Sequence, residues 1–141
     1  MKHYVLDASV VAAGFFPEEH SPKARRLLAG LHDFAAPDLL YAETANVIWK
    51  RHGKGELDDA EARALMADLL TLPIRIVPTK DLVTPALELA LCMRRTVYDC
   101  LYLALAVESR AVLVTGDRKF ANALADSPPA KHMAWIGDWS E

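Results

Sequence analysis

Short apolar runs, closed by proline, glycine or an acid, alternate along this chain with longer stretches in which apolar residues recur at helical spacing. His3 to Leu6 is the first such run and reads as a buried strand ending at Asp7. Phe34 to Ala36, closed by Pro37, predicts a second strand, and Ile74 to Val77, bounded by Pro73 and Pro78, a third. Ala111 to Val114 predicts a fourth, and Met133 to Ile136 a weak last one. Helices fill the intervals. Ser21-Pro22 supplies an N-cap and a first-turn proline for a helix reaching about Gly30. From Asp38 the pattern is helical until Gly53 and Gly55 stop it, and Asp58 with Glu61 resembles a capping box for a helix to about Thr71. A helix from Asp81 to about Met93 breaks at Arg94 to Thr96, another runs from Val97 to about Ser109, and a short one covers Arg118 to Ala125.

Strands that alternate with helices, and that are apolar throughout rather than at every second position, predict an α/β domain. Its mainly parallel sheet, of about five strands, is covered by helices on both faces in three α/β/α layers. Residues 1–141 fit one domain. Ligands in such folds bind beyond the carboxyl ends of the strands. That rule puts Asp7 and Asp117 on one rim, because each closely follows a predicted strand. Glu43 and Asn46 share one face of the helix from Asp38, with Leu39 and Lys50 on the same stripe. Asp99 opens a helix that is apolar almost all round, through Leu101, Tyr102, Leu103, Leu105 and Val107.

Each of these acids has an ordinary structural role open to it. Asp7 and Asp117 suit N-caps, Asp99 suits a helix dipole, and Glu43 suits a bond to a neighbouring helix. Together they are costlier. Two unit charges about 4 Å apart repel by roughly 4 kcal/mol at an effective dielectric near 20, so four carboxylates on one rim call for cations. Hard oxygen donors favour magnesium or manganese over zinc.

Composition narrows the classes further. Apolar residues make up 52% and charged residues 25%, which predicts a globular chain. The apolar stretch after Lys2 is interrupted by Asp7 and lacks a convincing cleavage site, and the longest run elsewhere, Cys100 to Val107, is too short to span a bilayer. A cytoplasmic location is expected, with Cys92 and Cys100 as two reduced, buried thiols. The net charge of −3 argues mildly against binding nucleic acid by bulk electrostatics. Basic clusters at Lys23/Arg25/Arg26, Lys50-Arg51-His52, Arg94-Arg95 and Arg118-Lys119 read first as solvated helix ends. The five histidines are dispersed, and no phosphate loop or nucleophile elbow occurs. Trp135 and Trp139 read as packing residues.

The motifs Val5-Leu6-Asp7-Ala8-Ser9, Pro37-Asp38-Leu39-Leu40 leading to Glu43 and Asn46, Tyr98-Asp99-Cys-Leu-Tyr-Leu-Ala-Leu-Ala, and Thr115-Gly-Asp117-Arg-Lys-Phe120 occur in that order over nearly the whole chain. In this the chain resembles PIN-domain ribonucleases, and among them the VapC-type toxins of toxin–antitoxin pairs. The resemblance implies a PIN-like fold and a magnesium- or manganese-dependent endoribonuclease with Asp7, Glu43, Asp99 and Asp117 as its acidic quartet. Ser9, Asn46 and Thr115 match supporting positions. Asp7 and Asp99 would be the principal metal ligands, with Glu43 and Asp117 holding a second ion or its waters. An RNA substrate, a VapB-type antitoxin and a homodimer are implied as well, the helix from Tyr98 and the one before it suiting the dimer. Two departures stand out: Cys100 replaces a common small residue, and Arg118-Lys119 follow the last acid where some relatives carry another carboxylate.

Three other readings compete. An RNA-processing nuclease would use the same site without being a toxin, and a non-catalytic module would keep only the fold. Aspartyl-phosphate chemistry on Asp7 would need a further acid two residues later, where Ser9 stands.

Overall fold

A computed structural model describes residues 1–141. Five strands, β1 (His3–Leu6), β2 (Asp33–Pro37), β3 (Ile74–Val77), β4 (Val112–Thr115) and β5 (Met133–Trp135), form one sheet in the order β3-β2-β1-β4-β5. Every pairing is parallel. Seven helices accompany them: α1 (Ala8–Phe15), α2 (Ser21–Ala29), α3 (Leu39–Gly53), α4 (Asp59–Thr71), α5 (Val83–Met93), α6 (Val97–Ser109) and α7 (Arg118–Ala123). The predicted α/β class and parallel sheet are both present, and no strand is antiparallel.

Chain direction explains the layers. From β1 the chain steps to β2 and β3, then crosses back to β4 and β5 on the other side of β1. Parallel crossovers are right-handed, so this reversal puts α5 and α6 on the face opposite α1 to α4. α6 packs against β1, β2 and β4, with α5 against it, while α1 meets α2, α3 and β4. The apolar run Cys100 to Ala106 is buried on every side, as its lack of a polar stripe predicted. Leu103 and Leu105 alone remove enough apolar surface to contribute about 2 kcal/mol each.

Local chemistry sets the helix ends. The capping box at α4 is complete, with Asp58 Oδ1 accepting from Glu61 N at 2.7 Å and Glu61 Oε1 accepting from Asp58 N at 3.1 Å. Thr96 caps α6 by accepting from Asp99 N at 3.1 Å. α5 begins two residues later than expected, after a 3-10 turn over Thr79–Asp81, and Pro85 is tolerated because it lies in the first turn. α1 is the helix that the pattern left unassigned. Ala8, Val10, Val11, Ala12 and Ala13 are all buried, so no alternation of apolar and polar positions marks its period. Two local expectations fail: Ser21 lies inside α2, its hydroxyl donating to Phe16 O and accepting from Glu18 N, each at 2.7 Å, instead of capping the helix, and Cys100 is buried but Cys92 is exposed on α5. Its apolar neighbours Val83, Leu87 and Leu91 are exposed too, so that face of α5 lies outside the core. No helix is long and apolar enough to cross a membrane.

Candidate active site

The sheet changes direction between β1 and β4, and the loops leaving these two strands therefore diverge and open a crevice at their carboxyl ends. Asp7 follows β1 directly and Asp117 follows β4 after one glycine. Both are N-caps. Asp7 Oδ1 accepts from Val10 N at 3.2 Å, and Asp117 Oδ1 accepts from Phe120 N at 3.1 Å. The ordinary role proposed for each by its sequence context is real, and each keeps a second carboxylate oxygen for other work.

Ser9 ties the two rims together. Its hydroxyl donates to Asp7 Oδ1 and accepts from Gly116 N at 2.8 Å. The approach is close: a Cβ at position 116 would sit 3.0 Å from Ser9 Oγ and 3.2 Å from Ser9 Cβ, so any side chain there would press on Ser9. Thr115, fully buried, lies beside the Asp7 carboxylate and accepts from Asp117 N at 3.0 Å. Ser9 and Thr115 thus stand against both acids. Asn46 does not join them: it is exposed on α3, and no hydrogen bond links it to any of the acids. The buried positions of α3 are Leu40, Thr44 and Ile48, so Asn46 lies off the packed face.

Burial pushes the Asp7 carboxyl from 3.8 up to about 6. Its hydrogen bonds to Ser9, Thr115 and Val10 oppose that rise, and the nearby charge of Glu43 adds to it. Glu43 and Asp7 therefore sense one another across the crevice. Glu43 Oε1 accepts from the hydroxyl of Tyr102 at 2.6 Å. Tyr102 is buried in α6, one turn after Asp99, and its phenol is pushed well above the ordinary range by desolvation and then by Glu43, with Asp7 and Asp99 contributing. Three of the four acids thus face one phenol.

Asp99 lies in the first turn of α6, where the helix dipole suits an anion. Its Oδ2 accepts from Arg95 Nη2 at 3.1 Å, and the same nitrogen reaches Asp117 Oδ2 at 3.3 Å. Within this arrangement Asp99 and Asp117 are joined through Arg95, and Asp7 and Glu43 form the other half above Tyr102. As they stand, no three of the acids are gathered closely enough to hold one ion. Their chemistry nonetheless fits a hard divalent cation, because every donor is a carboxylate oxygen and desolvated Asp7 has no cationic side chain paired with it.

Two residues of the site escaped the sequence reading. Tyr102 reads as a packing residue in the sequence, although its i+3 spacing from Asp99 places both on one face of α6. Arg95 was grouped with Arg94 as a solvated helix end. Its spacing of four residues before Asp99 was the available signal, and the bend at Arg94 (φ 56) turns it inward.

Comparison with known proteins bears on the family and the fold. The PIN domain family matches residues 4–124. Ribonuclease VapC3 of Pyrobaculum aerophilum is 34% identical over 119 residues, covering 83% of this chain and 91% of that one. A crystal structure of a protein from P. aerophilum superposes with a TM-score of 0.67 at 25% identity, covering 96% of this chain and 85% of that chain. A toxin–antitoxin complex from Klebsiella pneumoniae superposes with a TM-score of 0.64 at 18% identity, covering 94% of this chain and 97% of that chain, a likeness of fold. An all-parallel sheet with acids at its switch point, a family match over most of the length and a ribonuclease relative at this identity lead to one assignment: the chain belongs to the PIN-domain family.

Proposed function

We propose that this protein is a metal-dependent endoribonuclease and the toxin of a VapB–VapC-type pair. The observation that carries the reading is the crevice between β1 and β4, where Asp7 and Asp117 are braced by Ser9 and Thr115 and Asp7 is raised to about 6 by burial beside Glu43. A polar group left buried at such cost in a fold of this kind marks a functional place. The ribonuclease relative supplies the substrate class, and the toxin–antitoxin complex of the same fold supplies the partner.

Asp7 and Asp99 would hold magnesium or manganese, with Glu43 and Asp117 taking a second ion or its waters. When bound, such an ion supplies a polarised scissile phosphate and a water of lowered pKa. The chain's own residues do the positioning. Ser9 is a strut rather than a nucleophile, because its hydroxyl is already committed to Asp7 and Gly116. Tyr102 fixes the rotamer of Glu43. Arg118 stacks over Trp135, 4.6 Å from the ring centroid, and together with the exposed Lys119 stands beside Asp117 to meet flanking phosphates. Local charge of this kind overcomes a net charge of −3. The exposed stripe Val83, Leu87 and Leu91 on α5, with Tyr98 on α6, suits the homodimer contact. The reading places the protein in the cytoplasm, with its RNA.

Two experiments test this. Purified protein on a defined RNA should cut internally with magnesium or manganese and stop with EDTA; intact RNA in the presence of both ions would reject the nuclease. Expression in a bacterial host should arrest growth and be rescued by the co-expressed antitoxin. Cleavage without arrest would favour an RNA-processing role over a toxin. Tyr102→Phe should lower cleavage roughly 10- to 100-fold while the protein stays folded, the range found when a partner that orients a metal ligand is removed. Unchanged cleavage in that variant would mean that Glu43 needs no support.

A further inference from the structure

Arg95 is held by three restraints, none of which a solvated side chain would need. Its guanidinium lies over the Phe120 ring, 4.7 Å from the centroid. Its Nη2 serves Asp99 at 3.1 Å and Asp117 at 3.3 Å, carboxylates that come from different elements. Its Nε is buried without a hydrogen-bond partner, so the position is kept although one donor has lost its water. The two carboxylates it joins belong to the acidic cluster, and neutralising and bridging them is also what a divalent ion there would do.

We propose that Arg95 is an internal counter-cation, which links Asp99 to Asp117 in the metal-free protein and competes with the divalent cation for their oxygens. The proposal rests on the reading of the cluster as a metal site. Because the Oδ2 atoms of Asp99 and Asp117 share one nitrogen, a cation that takes either must displace Nη2 or share its acceptor. The free energy of that displacement is subtracted from metal affinity. Arg95 relaxes the repulsion between Asp99 and Asp117, which lets the site fold before a cation binds, and thereby makes loading depend on cation concentration. Phe120 keeps the displaced guanidinium at the rim, since the cation–π contact does not involve the carboxylates.

The test is manganese binding by titration calorimetry to the wild type, Arg95→Gln, Arg95→Lys and Asp7→Asn, together with melting in EDTA. Arg95→Gln should bind manganese roughly tenfold more tightly than the wild type, because a charge-assisted bridge no longer competes, and should melt at a lower temperature in EDTA. Arg95→Lys retains a charge and protects folding, but loses the planar fork and its stacking; it should fall between the two. Equal or weaker manganese affinity in Arg95→Gln, or in Arg95→Lys should the glutamine variant not fold, overturns the proposal. Loss of binding in Asp7→Asn with no gain in the Arg95 variants rejects the competition alone. Absence of manganese binding to the wild type rejects the metal site and the competition with it.

Discussion

Asp7→Asn is expected to reduce RNA cleavage by at least about 10²-fold and, in metal-free buffer near neutral pH, to make the protein more stable than the wild type. The substitution is conservative in shape. Asn keeps an oxygen to cap α1 through Val10 N and to accept from Ser9, so the fold should persist. What it removes is the charge. The carboxyl of Asp7 is raised from 3.8 to about 6 in the folded protein, so between those values the native state binds more protons than the unfolded chain. Stability attributable to this group is then highest at low pH, falls as pH rises through that window, and carries the full penalty above about 6. A shift of about two units corresponds to at most about 3 kcal/mol, with partial solvent access reducing it. Melting temperatures in EDTA from pH 4 to pH 8 should show the wild type losing ground to Asp7→Asn up to about pH 6 and holding a constant gap beyond. Parallel curves over the whole range would show that burial of Asp7 is not costly. Undiminished cleavage would remove Asp7 from the mechanism.

Manganese should raise the melting temperature of the wild type by roughly 10 °C when present at about 100 times its dissociation constant. The same addition should shift Asp99→Asn much less, because one of the two carboxylates proposed to hold the ion is gone. Thr96 still caps α6 through the backbone of residue 99, so the variant is expected to fold and the comparison is clean. Protons compete with the cation for Asp7, and the shift should therefore shrink as pH falls below about 6. Equal shifts in both proteins would place the cation elsewhere. A shift that is independent of pH would separate binding from Asp7.

The strands and most helices were legible because their signals are local. Prolines bound β3, Asp58 and Glu61 announce α4, and the unbroken apolar run of α6 declares a helix packed on all sides. α1 was hidden for the converse reason. Its five buried residues leave no polar face from which to read a period, and a stretch of that kind resembles an export signal or a strand as closely as it resembles a helix. Cys92 misleads in a similar way: its apolar neighbours on α5 read as core, whereas the stripe they form is exposed. Arg95 and Arg94 are adjacent and identical, yet one is exposed while the other bridges two acids, a difference made by the left-handed turn between α5 and α6.

By itself the sequence determined the class of the fold, the placing of Asp7 and Asp117 at strand ends, and the chemistry on offer, hard carboxylate oxygens with hydroxyls beside them. These follow from periodicity, capping and residue type, all of which act over a few neighbours. Only the tertiary structure decided which acids meet. Placing β4 beside β1 brings Ser9 to Gly116 across 107 positions, and packing α6 under the sheet brings Tyr102 to Glu43 across 59. It also decided that Arg95 bridges Asp99 and Asp117 and that Tyr102 holds Glu43, with no three of the acids gathered around one point. Such long-range neighbours are set by strand order and crossover handedness, which no local pattern encodes.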